Sequence, residues 1–310
     1  MKFVPRLLSS AADALPVKRT DRYQIFEHPF GRHLGVLKRL DAETIEAVRH
    51  ENACRLSIVP LKVKGPLDLN VLKLCPELKS LYLHVEEPVD WTPVQHLREL
   101  EDLTLIARGH RPRPLEFRLF RHLHTVRISW YPEWASVLSC STLQGLTIEN
   151  SEKVQEFDLR RLPLLAELWL AECRGLQRLL CSPDQSLESL CVNSCRSFES
   201  FEPFKVLHSL KYASFGGNSR FDVQSLGHCH GLKSLNLVGV GKLPSLQFLS
   251  DCISLERFTM LFSTKIEDGD LNVLLKLPKL KAVTFRRFQN YTHTLKEISE
   301  SIASRDAVGP

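Results

Sequence analysis

Three short patterns in the sequence contain residue types that could carry out chemistry. Cys191 is placed to face outward from a predicted strand, and a thiol becomes a nucleophile when a neighbouring base lowers its pKa. Residues 228–230 read His-Cys-His, although zinc needs three or four convergent ligands. Gly216 and Gly217 end a predicted strand. We interpret them as residues that allow a tight turn there, and not as a phosphate-binding loop. We therefore predict no catalytic residue, no bound metal and no cofactor.

The composition excludes several classes of protein. The chain has 310 residues, of which 43% are hydrophobic and 53 are leucine, with a net charge of +5. No apolar run approaches the ~20 residues of a membrane span. The chain has nine cysteines, an odd number that cannot all form disulfide bonds within one chain. Arg6 and Asp13 interrupt the apolar stretch at the start of the chain, so we expect no secretory signal there. We therefore expect reduced thiols in a cytoplasmic protein that has no membrane partner.

The leucines are periodic. The segment Leu78, Leu81, Leu83 has the spacing LxxLxL, and ten such segments follow one another at steps of 20 to 25 residues. All thirty signature positions are apolar, and an irregular copy at residues 53–58 predicts an eleventh strand. The first position is leucine in every copy: Leu78, Leu100, Leu123, Leu143, Leu165, Leu187, Leu210, Leu232, Leu255 and Leu280.

This pattern resembles the leucine-rich-repeat family, with short repeats of 20–23 residues and the consensus LxxLxLxxN/C. One such repeat cannot bury its own apolar face, so neighbours must stack. The fold expected is an α/β repeat solenoid, a curved rod with a parallel concave β-sheet, a short 3₁₀ or irregular convex side and capped ends. We expect an N-terminal tail and cap over 1–52, ten to eleven repeats over 53–290, and a C-terminal capping helix and tail over 291–310.

The repeat also assigns places to most of the cysteines. With the first leucine as offset zero, four cysteines lie at offset −3, in a column that is apolar or cysteine in nine of ten repeats, so we expect it in the core. Cys173 and Cys195 stand at the N/C position, offset +8, where Asn218 stands in a later repeat. There a buried polar side chain can bond to the backbone of the turns.

Offsets +2 and +4 should face outward from the concave sheet, because alternate strand residues point to opposite sides. Small polar residues alternate there with large aromatic and arginine residues, the types enriched at binding hot spots. We predict a non-enzymatic protein-binding module that acts as an adaptor, scaffold or inhibitor. The alternative is an immunity-type protein that blocks a toxin or enzyme, and no small-molecule substrate is expected. The predicted partner-binding residues are Tyr82, Arg127, Trp130, Trp169, Tyr212 and Arg257.

Residues 108–127 form a basic stretch that contains six arginines and three histidines. Pro112 and Pro114 predict a stiff, exposed loop in its first part. A solvated loop explains the stretch best, and an acidic protein partner comes next. Nucleic-acid binding through 108–127 is the least favoured interpretation, because the net charge of the chain is small.

Overall fold

A computed structural model describes residues 15–29, 31–58, 67–108, 111–199 and 207–307 of the chain, which forms two compact units, Met1–Glu149 and Asn150–Pro310. Each unit contains stacked strands at the repeat spacing, which confirms the predicted repeat solenoid. His110, one of the histidines of the basic stretch, lies outside the described residues.

The first unit has one sheet of eight described strands. Strand β2 pairs antiparallel with β1 and with β3, and each later pair from β3 to β8 is parallel. Strand β4 is the eleventh strand predicted from the irregular copy. The bounds are β1 Lys18–Arg19, β2 Tyr23–Phe26, β3 Arg32–Val36, β4 Ala53–Ile58, β5 Ser80–Val85, β6 Asp102–Ala107, β7 Thr125–Ser129 and β8 Gly145–Glu149.

The second unit has a main sheet of six described strands, β10, β12, β13, β14, β16 and β18, all parallel. Residues at the same offset pair with one another across these strands. Two further pairs, β9 with β11 and β15 with β17, lie on the return segments. The bounds are β9 Glu156–Asp158, β10 Glu167–Ala171, β11 Arg178–Leu180, β12 Ser189–Asn193, β13 Tyr212–Gly216, β14 Ser234–Val238, β15 Lys242–Leu243, β16 Arg257–Leu261, β17 Lys265–Ile266 and β18 Ala282–Phe285.

The return segments are short, as ~22 residues per repeat require. Among the return segments that the structure describes, six contain a 3₁₀ helix and one contains helix α2, Asn272–Lys276. The 3₁₀ or irregular convex side is therefore confirmed. The 3₁₀ helices span Leu69–Leu74, Thr92–His96, Phe117–Leu119, Pro132–Ser139, Val223–His228 and Gln247–Asp251.

The core consists of the repeat signature. All thirty signature residues are buried, and none is more than 8% exposed. The offset −3 column is buried as predicted, except for Asp184. Next to Asp184, the buried Gln185 donates from Nε2 to the carbonyls of Leu159 (3.2 Å) and Leu162 (2.7 Å). This amide satisfies backbone groups that an apolar residue would leave open.

Side chains at the N/C position connect neighbouring repeats. Asn218 is fully buried; its Oδ1 accepts from the Cys195 amide (2.8 Å) and its Nδ2 donates to the Val192 carbonyl (2.6 Å). In a later repeat the sequence places Ser263 at this offset, but Thr264 makes the equivalent bonds instead. Its Oγ1 accepts from the Val240 amide (3.2 Å) and donates to a carbonyl of the preceding strand (3.1 Å).

At offset +7 the backbone adopts a left-handed conformation with positive φ, and this turns the chain away from the strand. Gly217 (φ 64°) and Gly239 (φ 67°) adopt this conformation without a steric penalty. Other residue types at this offset are forced into it at a cost of roughly 1–3 kcal/mol each. They are Asn150, Glu172, Ser194 and Phe262.

A helix lies near each end of the described residues, α1 after strand β3 and α3 after strand β18. Helix α1, Ala42–His50, is capped by Asp41, whose side chain accepts from the Thr44 amide (3.0 Å), and it buries Ile45 and Val48. Helix α3, Leu295–Ala307, begins with reciprocal bonds between Thr294 and Glu297, a capping box.

Helix α3 continues to Ala307, about one turn beyond the apolar stripe formed by Ile298 and Ile302. The following Arg305 donates from Nη1 to the Leu277 carbonyl (2.9 Å) and so attaches the last turn to the preceding repeat. Arg305 is part-buried against the preceding repeat, and hydrophobic periodicity does not report such a polar contact.

Replacing Asn218 by alanine should destabilise the second unit. The substitution leaves the buried Cys195 amide and Val192 carbonyl without partners, so we expect the free energy of unfolding to fall by about 2–4 kcal/mol. Urea unfolding followed by circular dichroism measures the change. Asn236→Ala is the matched control, because Asn236 is half-buried on the outer face of β14. Equal losses for the two variants would contradict the bridging role.

Candidate functional site

The side chains at offsets +2 and +4 form the solvent-facing side of each sheet, which we call its open face. Most of them are half-buried, and the parallel register aligns them in rows across the strands. Gly145 and Thr147 of β8 are exceptions, since both are buried. The predicted outward direction of these two offsets is therefore correct for most strands.

A polar network occupies the open face of the first unit. Nε2 of His33 lies 2.8 Å from Oγ of Ser57. Arg55 binds Asp102 (Nη2 to Oδ2, 2.9 Å), and Asp102 also accepts a hydrogen bond from the Thr125 hydroxyl. The network thus joins strands β3, β4, β6 and β7.

His33 is held in its neutral form. Burial, together with the positive charge of Arg55 and the neighbouring His28, lowers the pKa of His33 to about 4. A neutral imidazole accepts or donates a hydrogen bond but adds no positive charge at pH 7. The open face of the first unit therefore contributes hydrogen-bonding groups at this point and not a cation.

The three predicted site residues of the first unit differ in their surroundings. Tyr82 is half-buried in the +4 row, between Ser57 and Thr104. Arg127 forms an ion pair with Glu149 (Nη2 to Oε1, 2.6 Å), which already occupies its guanidinium. Trp130 is half-buried just beyond β7, and its amide donates to the Glu149 carbonyl (2.8 Å).

The three predicted residues of the second unit lie in two rows. Tyr212 and Arg257 share the +2 row, where Ser234 separates them. Trp169 lies in the +4 row and pairs with Cys191. Trp169 and Tyr212 are half-buried, and Arg257 is exposed. Small residues between the large ones leave the large side chains accessible from the open face.

The basic stretch 108–127 is largely paired with carboxylates. Arg118 contacts Glu116 (3.0 Å), and three other arginines contact acidic residues about one repeat away. Pro112, expected to be exposed, is buried in the wall of a cavity of about 290 Å³ that also includes Trp91. The prediction of an exposed loop is wrong at this residue. The other pairs are Arg111–Glu133, Arg113–Asp90 (3.5 Å) and Arg127–Glu149.

The pairing of these arginines was missed in the sequence, although a signal was present. In a parallel stack, residues about 22 apart lie side by side on neighbouring repeats. Each of the three pairs above joins residues separated by 22 or 23 positions. The network of His33 had a weaker signal, because β3 is outside the repeat pattern and its partners cannot be read from the period.

The residues that could have carried out chemistry have other surroundings. Burial raises the pKa of Cys191 to about 11, and the side-chain amide of Asn193 donates from Nδ2 to the Cys191 sulfur (3.2 Å). Cys229 is buried in the core column, whereas His228 and His230 are exposed. Within the described ranges, no three His, Cys, Asp or Glu residues converge on a point that could hold a metal ion.

Comparison with solved structures addresses the fold. An internalin (inlF) from Listeria monocytogenes superimposes with a TM-score of 0.51 at 15% sequence identity, covering 80% of this chain and 78% of that one. This neighbour is a leucine-rich-repeat protein. The chain has the leucine-rich-repeat fold. At such low identity the likeness supports the fold alone, and the sequence matches no family model and no curated protein.

Two other Listeria monocytogenes structures resemble this leucine-rich-repeat chain less closely. An internalin C2 (inlC2) gives a TM-score of 0.38 at 16% identity, covering 67% of this chain and 80% of that one. The functional domain of InlJ, which includes a cysteine ladder, gives a TM-score of 0.32 at 13% sequence identity, covering 69% of this chain and 54% of that one.

The helices of the described residues are all too short or too polar to span a membrane.

The buried His33 should make the stability of the leucine-rich-repeat fold depend on pH. Its pKa is about 4 when folded and about 6.5 when unfolded, so the unfolded chain binds more protons between these values. The stabilisation is complete above pH 6.5 and is lost as the pH falls toward 4, by at most about 3 kcal/mol. Urea midpoints at pH 7, 5.5 and 4 should show a smaller drop for His33→Gln than for wild type. His122→Gln is the exposed control, and an unchanged drop in His33→Gln would refute the assignment.

Cys191 should react slowly with alkylating agents at neutral pH, because burial of the thiol disfavours the thiolate. We expect iodoacetamide labelling of Cys191 to rise with pH toward 11 and to be far slower at pH 7.5 than that of a small free thiol. Mass spectrometry of the digested protein measures the labelling. A rate at pH 7.5 equal to that of the free thiol would contradict the raised pKa, and a faster rate would indicate an activated nucleophile and favour an enzyme.

Proposed function

We propose that this leucine-rich-repeat chain is a non-enzymatic protein-binding module that uses the open faces of its sheets. The observation that carries the proposal is the spacing of Trp169, Tyr212 and Arg257 on the open face of the second unit, separated by small side chains. Aromatic and arginine residues contribute most of the binding energy in protein interfaces. Neighbouring serine, threonine and asparagine side chains leave room for a partner to reach them.

A rigid scaffold strengthens this interpretation. Each open-face residue belongs to a strand that pairs in register with its neighbours, and the signature residues beneath it are buried. Side chains held in this way lose little further conformational freedom when a partner binds. Such a face suits an adaptor, a scaffold or an inhibitor, and an immunity-type protein that blocks a toxin or enzyme remains the alternative form of the same activity.

We further propose that the protein is located in the cytoplasm. Six of the nine cysteines are buried in the core. Buried thiols packed as small apolar side chains are compatible with a reducing compartment.

Nucleic acid is the less favoured partner. Four arginines of the 108–127 stretch form ion pairs with carboxylates of the chain, and breaking these pairs would offset part of any gain from binding phosphate. Tyr82, Trp169 and Tyr212 lie outside this stretch of the sequence, on the open faces. A protein surface fits this distribution of aromatic and charged groups better.

The test begins with the full chain as bait. Proteins retained from a native lysate are identified by mass spectrometry, and the binding of a purified candidate is then measured by calorimetry. Trp169→Ala and Tyr212→Ala should each weaken binding at least about thirtyfold, which corresponds to the threshold of about 2 kcal/mol for a hot-spot residue. Leu164→Ala and Ile253→Ala are controls, because both side chains are exposed but lie outside the +2 and +4 rows.

Unchanged affinity in both face variants would refute binding through the open face. A dissociation constant that rises steeply with salt and responds to Arg121→Ala would move the function to the basic stretch.

A further inference from the structure

Three residues that lie beyond the end of strand β16 or β18, together with Arg257 on the open face of β16, form a surface with features of its own, and we propose that this surface binds an extended acidic segment carrying an apolar anchor residue. This inference rests on the proposed function and specifies the chemistry of the partner. Phe262 would contact the apolar residue, and Arg257, Lys265 and Arg286 would contact carboxylates. We call these four residues the terminal patch.

Phe262 is exposed in a conformation that does not suit it. It lies at offset +7 with φ 55°, directly after β16, and its side chain is 73% exposed. Two preceding repeats have Gly217 and Gly239 at this offset. A bulky residue in the left-handed region is a true outlier, and such exposure leaves little packing to offset the strain. An aromatic side chain placed in this way points to a use outside the fold.

The cations of the terminal patch are available. Lys265 Nζ lies 5.4 Å and the Arg286 guanidinium carbon 5.9 Å from the ring centre of Phe288, so one ring holds two positive charges near each other. Among the described residues, no carboxylate lies within 4 Å of the charged group of Arg257, Lys265 or Arg286. Most arginines of the basic stretch, by contrast, form ion pairs.

The acidic residue next to Arg257 in the sequence is already engaged. Glu256 precedes Arg257 and lies close enough to feel its charge, yet it forms an ion pair with Lys281 (Nζ to Oε2, 3.1 Å). The +2 and +4 positions of the last three main-sheet strands contain no acidic residue. They are Ser234 and Asn236 on β14, Arg257 and Thr259 on β16, and Ala282 and Thr284 on β18.

Charge complementarity therefore selects an acidic occupant. Arginine guanidinium groups bind carboxylates through two parallel hydrogen bonds, and unpaired cations at the edge of an interface attract an acidic partner from a distance. The exposed ring of Phe262, three residues before Lys265, would contact an apolar side chain on the same segment. A nucleic acid would need positive charge along a continuous track, whereas Arg257 is the one cation in the +2 and +4 rows of these three strands.

The experiment uses the full chain and a phage-displayed library of dodecapeptides. Selected peptides are synthesised with a fluorescent label, and their affinity is measured by anisotropy. We expect a consensus with two or more acidic residues near a leucine, isoleucine or phenylalanine. Binding should weaken at least tenfold in Phe262→Gly and in Arg257→Gln, and urea unfolding should show that Phe262→Gly is more stable than wild type.

The matched control is Glu172→Gly, at the same offset and in the same left-handed conformation (φ 55°). It should gain stability in the same way and keep full affinity for the peptide. Rising stability with falling affinity in Phe262→Gly alone separates a binding role from a structural one. Lys281→Gln, which removes an already paired cation, should change the affinity less than twofold.

The outcomes distinguish this inference from the broader proposal. Peptides that lose affinity in Trp169→Ala but not in Phe262→Gly would overturn the terminal patch and leave the open face as the binding surface. Peptides that respond to no open-face variant, or a selection without an acidic consensus, would also overturn the inference. Tighter binding of a labelled oligothymidine than of any selected peptide, lost in Arg257→Gln, would assign the patch to nucleic acid and overturn it as well.

Discussion

The structure depends on the parallel register that stacking imposes on short repeats. A single repeat of about 22 residues has a strand and a return segment, and neither can bury the apolar side of that strand alone. Once neighbours stack, residues at one offset form a row across the sheet. Each row then has a common environment: the signature offsets are buried, and offsets +2 and +4 face the solvent.

This constraint explains why equivalent positions use different residues for one task. Asn218 and Thr264 make the same two hydrogen bonds from offsets that differ by one residue. The backbone needs a buried donor and acceptor at that point, and either side chain supplies both. Offset +7 is the reverse case, because the left-handed conformation is fixed and the residue type varies from glycine to phenylalanine.

The sequence predicted the fold to the level of individual rows because burial repeats with the period of the leucines. It placed the eleventh strand, the 3₁₀ returns and the outward direction of Trp169 and Tyr212. It did not predict contacts between particular pairs of side chains, such as Arg127 with Glu149. Composition gives the number of charges but not which charged residues are neighbours. The bond between His33 and Ser57 was beyond reach, since β3 follows no period. Pro112 was assigned by residue type, and its burial in a cavity wall depends on tertiary packing.

The four tryptophans are divided unequally between the units. Trp91 and Trp134 pack edge to face in the core of the first unit, with ring centres 5.4 Å apart, and Trp130 shortly precedes Trp134 in the sequence. The second unit contains only Trp169, half-buried on its open face. Removing the three others by Trp→Phe substitution would leave one intrinsic fluorophore, whose emission wavelength reports the polarity at the β10 end of that surface. The protein thus carries its own optical probe of the second unit, and no external label is needed to follow events there.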